Sequence, residues 1–116
     1  MSNKRTPDHP IASVFLDRWS PRAYDASAMP TADLLAILEA ARWAPSAYNV
    51  QPWRFLYSRR DDTCWRNYLS LLDAVNESWA RHASALVIIM SDTVMPGDGE
   101  RPERKSRSHS FDAGAA

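Results

Sequence analysis

The stretch Pro45-Ser46-Ala47-Tyr48-Asn49-Val50-Gln51-Pro52-Trp53-Arg54-Phe55 constrains this chain more than any other part of it. It follows an alanine-rich segment of helical spacing and runs into alternating aromatic residues. Pro45 cannot continue a helix, and it biases Ala44 out of the helical region. Within these positions the chain must leave a helix, cross a short polar loop and enter a strand. Ser46 and Asn49 are short polar residues that either hydrogen-bond a ligand or cap their own loop. Taken alone, the loop also reads as a plain connector.

Periodicity supplies the flanking elements. Apolar residues at 11, 14, 15 and 19 predict a helix over residues 11–19, with Pro10 tolerated in its first turn. A second helix begins with Thr31 as N-cap and Asp33 in its first turn, carries Leu34, Ile37, Leu38 and Ala41 on one face, and ends before Pro45. Trp53, Phe55 and Tyr57 alternate with Arg54, Leu56 and Ser58, which predicts a strand. A polar turn at residues 59–62 leads to one long helix over residues 63–81. The apolar run at residues 86–90 reads as a buried strand. Residues 91–110 then lose apolar content and read as an exposed, mobile loop. A last helix opens with Ser110 as N-cap. Its position at the C-terminus is the expected mark of a truncated domain.

Composition excludes several function classes. The 116 residues suit one small domain, and 45% hydrophobic residues with five Trp allow a core. A chain of this size still removes only about two-thirds of its unfolded surface from water. With 14 basic and 14 acidic residues, nothing at whole-chain level argues for nucleic acid or an anionic membrane. The basic segment at residues 101–107 is interrupted by Glu103 and has no interleaved aromatic residue, so it too argues against nucleic acid. The apolar run at residues 85–90 is far too short to span a bilayer, and residues 1–10 form a polar, flexible tail without a signal-peptide core. A cytoplasmic location is the expectation. The lone Cys64 is read as packed rather than reactive, and it cannot form an internal disulfide. His9, His82 and His109 are scattered, so no metal site is expected. No glycine-rich phosphate loop or nucleophile elbow is present. Most of the tryptophans are expected in the core or at an interface, although Trp53 and Trp79 could border a flat substrate.

A second constellation lies upstream. Arg18, Ser20 and Arg22 fall at alternate positions around Trp19. In an extended segment alternate side chains point to one side, so two guanidiniums and a hydroxyl converge on one ligand. An arginine fork suits phosphate or a carbonyl edge. In isolation the same pattern also reads as a solvated basic turn.

These landmarks, together with Asn76, the Ala83-Ser84 pair and Asp112-Ala113-Gly114-Ala115, occur in an order that resembles the FMN-dependent nitroreductase family. The resemblance runs from about Arg18 to the C-terminus. It implies an α+β nitroreductase-like fold, with helices packed on a small, mostly antiparallel sheet, of which only the first half is present. It makes residues 11–116 a partial FMN-binding domain, with residues 92–109 as a mobile loop. The implied cofactor-binding residues are Arg18, Trp19, Ser20, Arg22, Pro45, Ser46, Asn49 and Asn76. Arg18 and Ser20 match positions at the FMN phosphate, and Arg22 matches a cation near the pyrimidine end of the ring. Pro45, Ser46 and Asn49 match a loop that reaches the flavin of the opposite subunit. Asn76 matches an amide for the pyrimidine edge, although an exposed polar helix position explains it as well.

The implied reaction is ping-pong hydride transfer from NAD(P)H through FMN to a nitroaromatic, quinone or similar flat acceptor, in a homodimer with FMN at the interface. No catalytic side chain is needed, because the flavin carries the chemistry. The chain departs from the family where several members have a lysine and it has Trp79. It also lacks the family's later elements, so these 116 residues alone are expected to be inactive. The alternative expectation is a non-catalytic module acting through protein–protein contacts.

Overall fold

The computed structural model of the chain describes residues 5–116. Its central element is an antiparallel pair, β1 (Trp53–Arg59) and β2 (Ala85–Ser91), in register from Trp53 opposite Ser91 to Arg59 opposite Ala85. The aromatic and β-branched residues of both strands suit a pleated surface, but the strand expected to be buried at 86–90 is not: β2 has no buried residue, and Val87, Ile89 and Met90 are exposed. Between them lie two short helices, α3 (Trp65–Leu69) and α4 (Ala74–Ala80). Two helices precede the sheet, α1 (Ser13–Asp17) and α2 (Thr31–Arg42), and α5 (His109–Ala115) closes the chain. The architecture is α+β, with α3 and α5 packed against the sheet.

Long polar ties hold the connection from α1 to α2 onto the sheet. Arg59 donates to Thr31 Oγ1 at 2.8 Å and to the Met29 carbonyl at 3.4 Å. Arg60 reaches the carbonyls of Ala26, His82 and Ala83 at 2.5, 3.0 and 3.4 Å. Ser84 Oγ accepts from the Met29 N–H at 2.6 Å. The expected polar turn is therefore a staple built from two planar, multidonor guanidiniums. At the other end of the sheet, Ser91 Oγ and His109 Nδ1 lie 2.7 Å apart and join β2 to α5.

The core is small. Leu34, Trp53, Trp65, Ala80, Ala83, Met95 and Ala113 are its buried apolar residues, and Ser58 is fully buried against Cys64, whose thiol lies 3.3 Å from its hydroxyl. Phe15, Trp19, Leu71, Val75 and Phe111 are all exposed. The radius of gyration is 17.7 Å, against about 13 Å for a compact chain of about 100 residues. The fold is open.

Several expectations are corrected. The first helix covers only Ser13–Asp17 and leaves Pro10 and Trp19 outside. Pro30, not Thr31, occupies the N-cap of α2. The Thr31 hydroxyl is taken by Arg59 instead. The single helix expected over residues 63–81 breaks before Asp73, whose extended backbone and carboxylate cap the N–H groups of Val75 and Asn76. An aspartate N-cap competes with helix continuation because it satisfies orphan donors that an uninterrupted helix would not have. On β1 the expected face is blurred, since Ser58 is buried while Tyr57 is exposed. The 91–110 segment carries two short antiparallel strands, β3 (Val94–Met95) and β4 (Arg104–Lys105). Their closure needs Gly97, because a Cβ there would lie 2.6 Å from the Arg101 carbonyl oxygen. The last helix starts at His109 after Ser108, two residues earlier than a Ser110 cap requires. The tail expected over residues 1–10 lies outside the described residues in its first four positions.

Candidate functional site

Arg18 ends α1, donating its N–H to the Val14 carbonyl at 3.1 Å before the chain turns extended. Its guanidinium lies 3.5 Å from Ser20 Oγ, so the first two members of the pattern adjoin. Arg5 ties this corner from below, donating to the carbonyls of Arg18 and Leu16 at 2.7 and 3.2 Å. Arg18, Trp19, Ser20 and Arg22 are all exposed. The Arg22 guanidinium makes no hydrogen bond or ion pair with another described residue. Two positive charges and a hydroxyl thus face solvent with almost no acceptor among the described residues.

Two residues beyond Arg22, Tyr24 packs on Trp79 of α4, with ring centroids 6.1 Å apart and planes tilted by 30°. Asn76 lies one turn earlier on that helix, on the same face as Trp79 by i, i+3 spacing. The aromatic contact therefore brings the Arg22 segment to the helix of Asn76. Asn76 Nδ2 donates to Asp73 Oδ2 at 2.6 Å. The remaining amide N–H and the carbonyl oxygen still offer one donor and one acceptor. The Asp73 carboxyl is held below its ordinary range, chiefly by the backbone N–H of Asn76, then by Val75 N–H and the Asn76 amide.

The second constellation is a tightly wound loop. Ser46 is extended, and a 3-10 turn follows at Ala47–Asn49. Tyr48, Asn49 and Gln51 all adopt left-handed backbone angles, at φ of 55°, 54° and 51°. For non-glycine residues that conformation costs about 1–2 kcal/mol each, least for asparagine. Surrounding hydrogen bonds enforce it. Ser46 Oγ accepts from the Gln51 N–H at 2.9 Å, and the Ser46 carbonyl accepts from Asn49 N–H at 2.9 Å. The Ser46 hydroxyl keeps its own proton to donate.

Beneath the loop sits Asp112 of α5, only 5% exposed. Its Oδ2 accepts from Ala47 N–H at 3.3 Å and from the Ser108 hydroxyl at 2.9 Å. The sequence reading did not assign Asp112 this role. Its signal was a lone carboxylate set among Phe111 and Ala113 where an apolar helix face was forming.

The structure does not join the two constellations. Arg18 adjoins Ser20, and Tyr24, two residues past Arg22, meets α4, whereas Pro45, Ser46 and Asn49 lie on the loop over α5. Asn49 borders a cleft of about 290 Å³ that includes Tyr48, Met95 and Pro96 but none of the three upstream residues. At the exposed C-terminal end of α2, Glu39 accepts a two-pronged bond from Arg42 at 2.6 and 2.9 Å and a third from the Trp43 indole N–H at 2.8 Å. The Arg42 bond first, then that of Trp43, lowers the Glu39 carboxyl to about 2. Among the described residues no group of three or more His, Cys, Asp or Glu is placed to hold a metal. No described helix is long and apolar enough to cross a membrane.

The donor set fits a phosphorylated flavin in kind: exposed guanidiniums and a hydroxyl for a phosphate, and a free amide edge for a pyrimidine. Known proteins point the same way. Residues 16–93 match the model of the nitroreductase family. An oxygen-insensitive NADPH nitroreductase of Helicobacter acinonychis is 37% identical over 59 residues, covering 51% of this chain and 27% of its own. The crystal structure of an oxidoreductase containing FMN superposes with a TM-score of 0.90 at 48% identity, over 99% of this chain and 58% of that one. A nitroreductase family protein from Clostridium difficile shares the fold at a TM-score of 0.60 and 22% identity, over 84% of this chain and 52% of its own. The chain thus spans only part of the length of each of these relatives.

Proposed function

The chain belongs to the nitroreductase family, and from that premise we propose that it serves an FMN-dependent oxidoreductase passing hydride from NAD(P)H to a nitroaromatic, quinone or similar flat acceptor. The carrying observation is the exposed set of Arg18, Ser20 and Arg22, whose guanidiniums meet almost no acceptor among the described residues. Guanidiniums with so few partners, one of them beside a hydroxyl, are suited to a phosphate and an electron-rich ring edge.

In this reading Arg18 and Ser20, flanked by Trp19, bind the phosphate of FMN. When bound, FMN supplies the two-electron chemistry of the reaction. Arg22 places a fixed positive charge where negative charge develops on the pyrimidine end of the ring, which favours electron acceptance. Asn76 offers its free N–H and carbonyl to the same edge. Pro45, Ser46 and Asn49 serve the flavin bound mainly by a second copy of the chain, because their loop lies apart from the arginine cluster. A homodimer follows. It also accounts for the open shape and for apolar residues such as Phe15 and Phe111 left in solvent. The likeness to an FMN-containing oxidoreductase and to a NADPH nitroreductase supports cofactor and donor alike. The reading places the protein in the cytoplasm, where Cys64 stays reduced.

The test is equilibrium titration of the whole protein with FMN, followed by flavin absorbance and fluorescence. Loss of a charge-assisted hydrogen bond costs about 1.5–3 kcal/mol, so Arg18→Ala and Arg22→Ala each weaken FMN binding about tenfold or more. A colourless protein that takes up no added FMN refutes the proposal.

A further inference from the structure

The basic segment at residues 101–107 has no part in the flavin reading. In the folded chain its surroundings differ from its sequence neighbours. The β3–β4 hairpin brings Arg104, Lys105 and Arg107 to one cleft of about 800 Å³, whose other wall is the strained loop at Ala47 and Tyr48. Glu103 faces a different cleft, with Pro52, Arg54 and Asp92. Among the described residues the basic cleft is therefore lined by three cations, and the nearby Asp112 carboxylate is engaged behind the lining by Ala47 N–H and the Ser108 hydroxyl. Lys105 and Arg107 are exposed, and neither makes an ion pair with another described residue.

The aromatic residue absent from the local sequence arrives from 56 positions upstream. Arg104 lies over the Tyr48 ring, with its Cζ 5.3 Å from the centroid, and a guanidinium N–H also reaches Met95 Sδ at 3.3 Å. These contacts hold the guanidinium against one face of the ring. Tyr48 nevertheless remains 75% exposed. A bulky aromatic residue held at φ 55° without being buried is a costly arrangement, and such strain concentrates at functional sites. A ring with one face left to solvent, beside the exposed cations Lys105 and Arg107, has the chemistry to take a planar base carrying phosphate. The volume falls within the range of small-molecule sites.

We propose that this cleft binds the phosphorylated adenosine end of the nicotinamide dinucleotide donor, stacking the adenine on Tyr48 and pairing its phosphates with Lys105 and Arg107. The inference rests on the proposed oxidoreductase function for the identity of the ligand, but the cleft and its residues lie outside the flavin-binding set. Its position beside the Ser46–Asn49 loop places one end of a long donor near that loop.

The probe is 2′,5′-ADP, titrated calorimetrically into the full chain with and without FMN. We expect one saturable site whose affinity falls as salt rises. The double variant Lys105→Ala/Arg107→Ala, both exposed positions, should bind about tenfold or more weakly while its far-ultraviolet circular dichroism is unchanged. Tyr48→Ala should weaken binding as well. No saturable binding, an affinity unchanged in the double variant, or competitive displacement of the probe by FMN would each overturn the proposal. A protein that binds 2′,5′-ADP but takes up no FMN supports the cleft and sinks the flavin reading alone.

Discussion

Replacing Asp112 with alanine tests whether the strained loop is held from below. The carboxylate is nearly buried and serves two donors, Ser108 Oγ at 2.9 Å and Ala47 N–H at 3.3 Å. A hydrogen bond to a charged acceptor contributes about 1.5–3 kcal/mol at good geometry, so the Ser108 contact supplies about 2 kcal/mol and the longer Ala47 contact about 1. Removing a buried charge returns part of its desolvation cost, which leaves a net loss of about 2 kcal/mol. At a urea slope of about 1.5–2 kcal/mol per molar, the unfolding midpoint falls by about 1 M. Amide exchange at Ala47 reads the same contact locally, and 2 kcal/mol corresponds to about thirtyfold faster exchange. Asp112→Asn retains one acceptor and should fall between the two proteins. If Asp112→Ala stays within about 0.5 kcal/mol of the parent, as an ordinary surface change does, and Ala47 exchanges at the parental rate, the clamp does not exist.

Three further outcomes follow from the same geometry. The Glu39 carboxyl should titrate near 2 by NMR instead of its ordinary 4.5, and Arg42→Ala should return it toward that value. Because the folded value is the depressed one, whatever Glu39 contributes to stability is present above about 4.5 and disappears as pH falls through about 2. Arg60→Ala should lower stability by about 2 kcal/mol in thermal or urea unfolding, since one guanidinium serves three carbonyls. Arg60→Lys should recover little of this, because an ammonium lacks the planar fork that spans them.

Local signals carried much of the fold. Pro45 ends a helix wherever the rest of the chain goes, the alternation of β1 declares a strand by its period, and β2 is legible as a short apolar run between polar segments. The break before α4 was masked because Leu69, Leu72 and Val75 keep helical spacing across it, although Asp73 ahead of Ala74 is a recognisable cap. Two-residue strands such as β3 and β4 leave no periodic trace at all. For the site, the closeness of Arg18 and Ser20 was legible because the two are sequence neighbours. The partnerships of Asp112 with Ala47 and of Tyr48 with Arg104 were not, since they depend on segments more than 50 residues apart meeting in space. The same holds for Arg59 and Arg60, which a sequence reading takes for a solvated turn.

The β1–β2 ribbon has a consequence for biosynthesis. Two strands satisfy only the peptide groups that face each other, so each outer margin displays a row of donors and acceptors ready for another backbone. Such a ribbon is marginal in water by itself. Native assembly and amyloid-like stacking would therefore draw on the same margins. Whichever covers them first during synthesis decides how much of the newly made protein survives, and expression at low temperature or with a holdase chaperone should shift that race toward the native form.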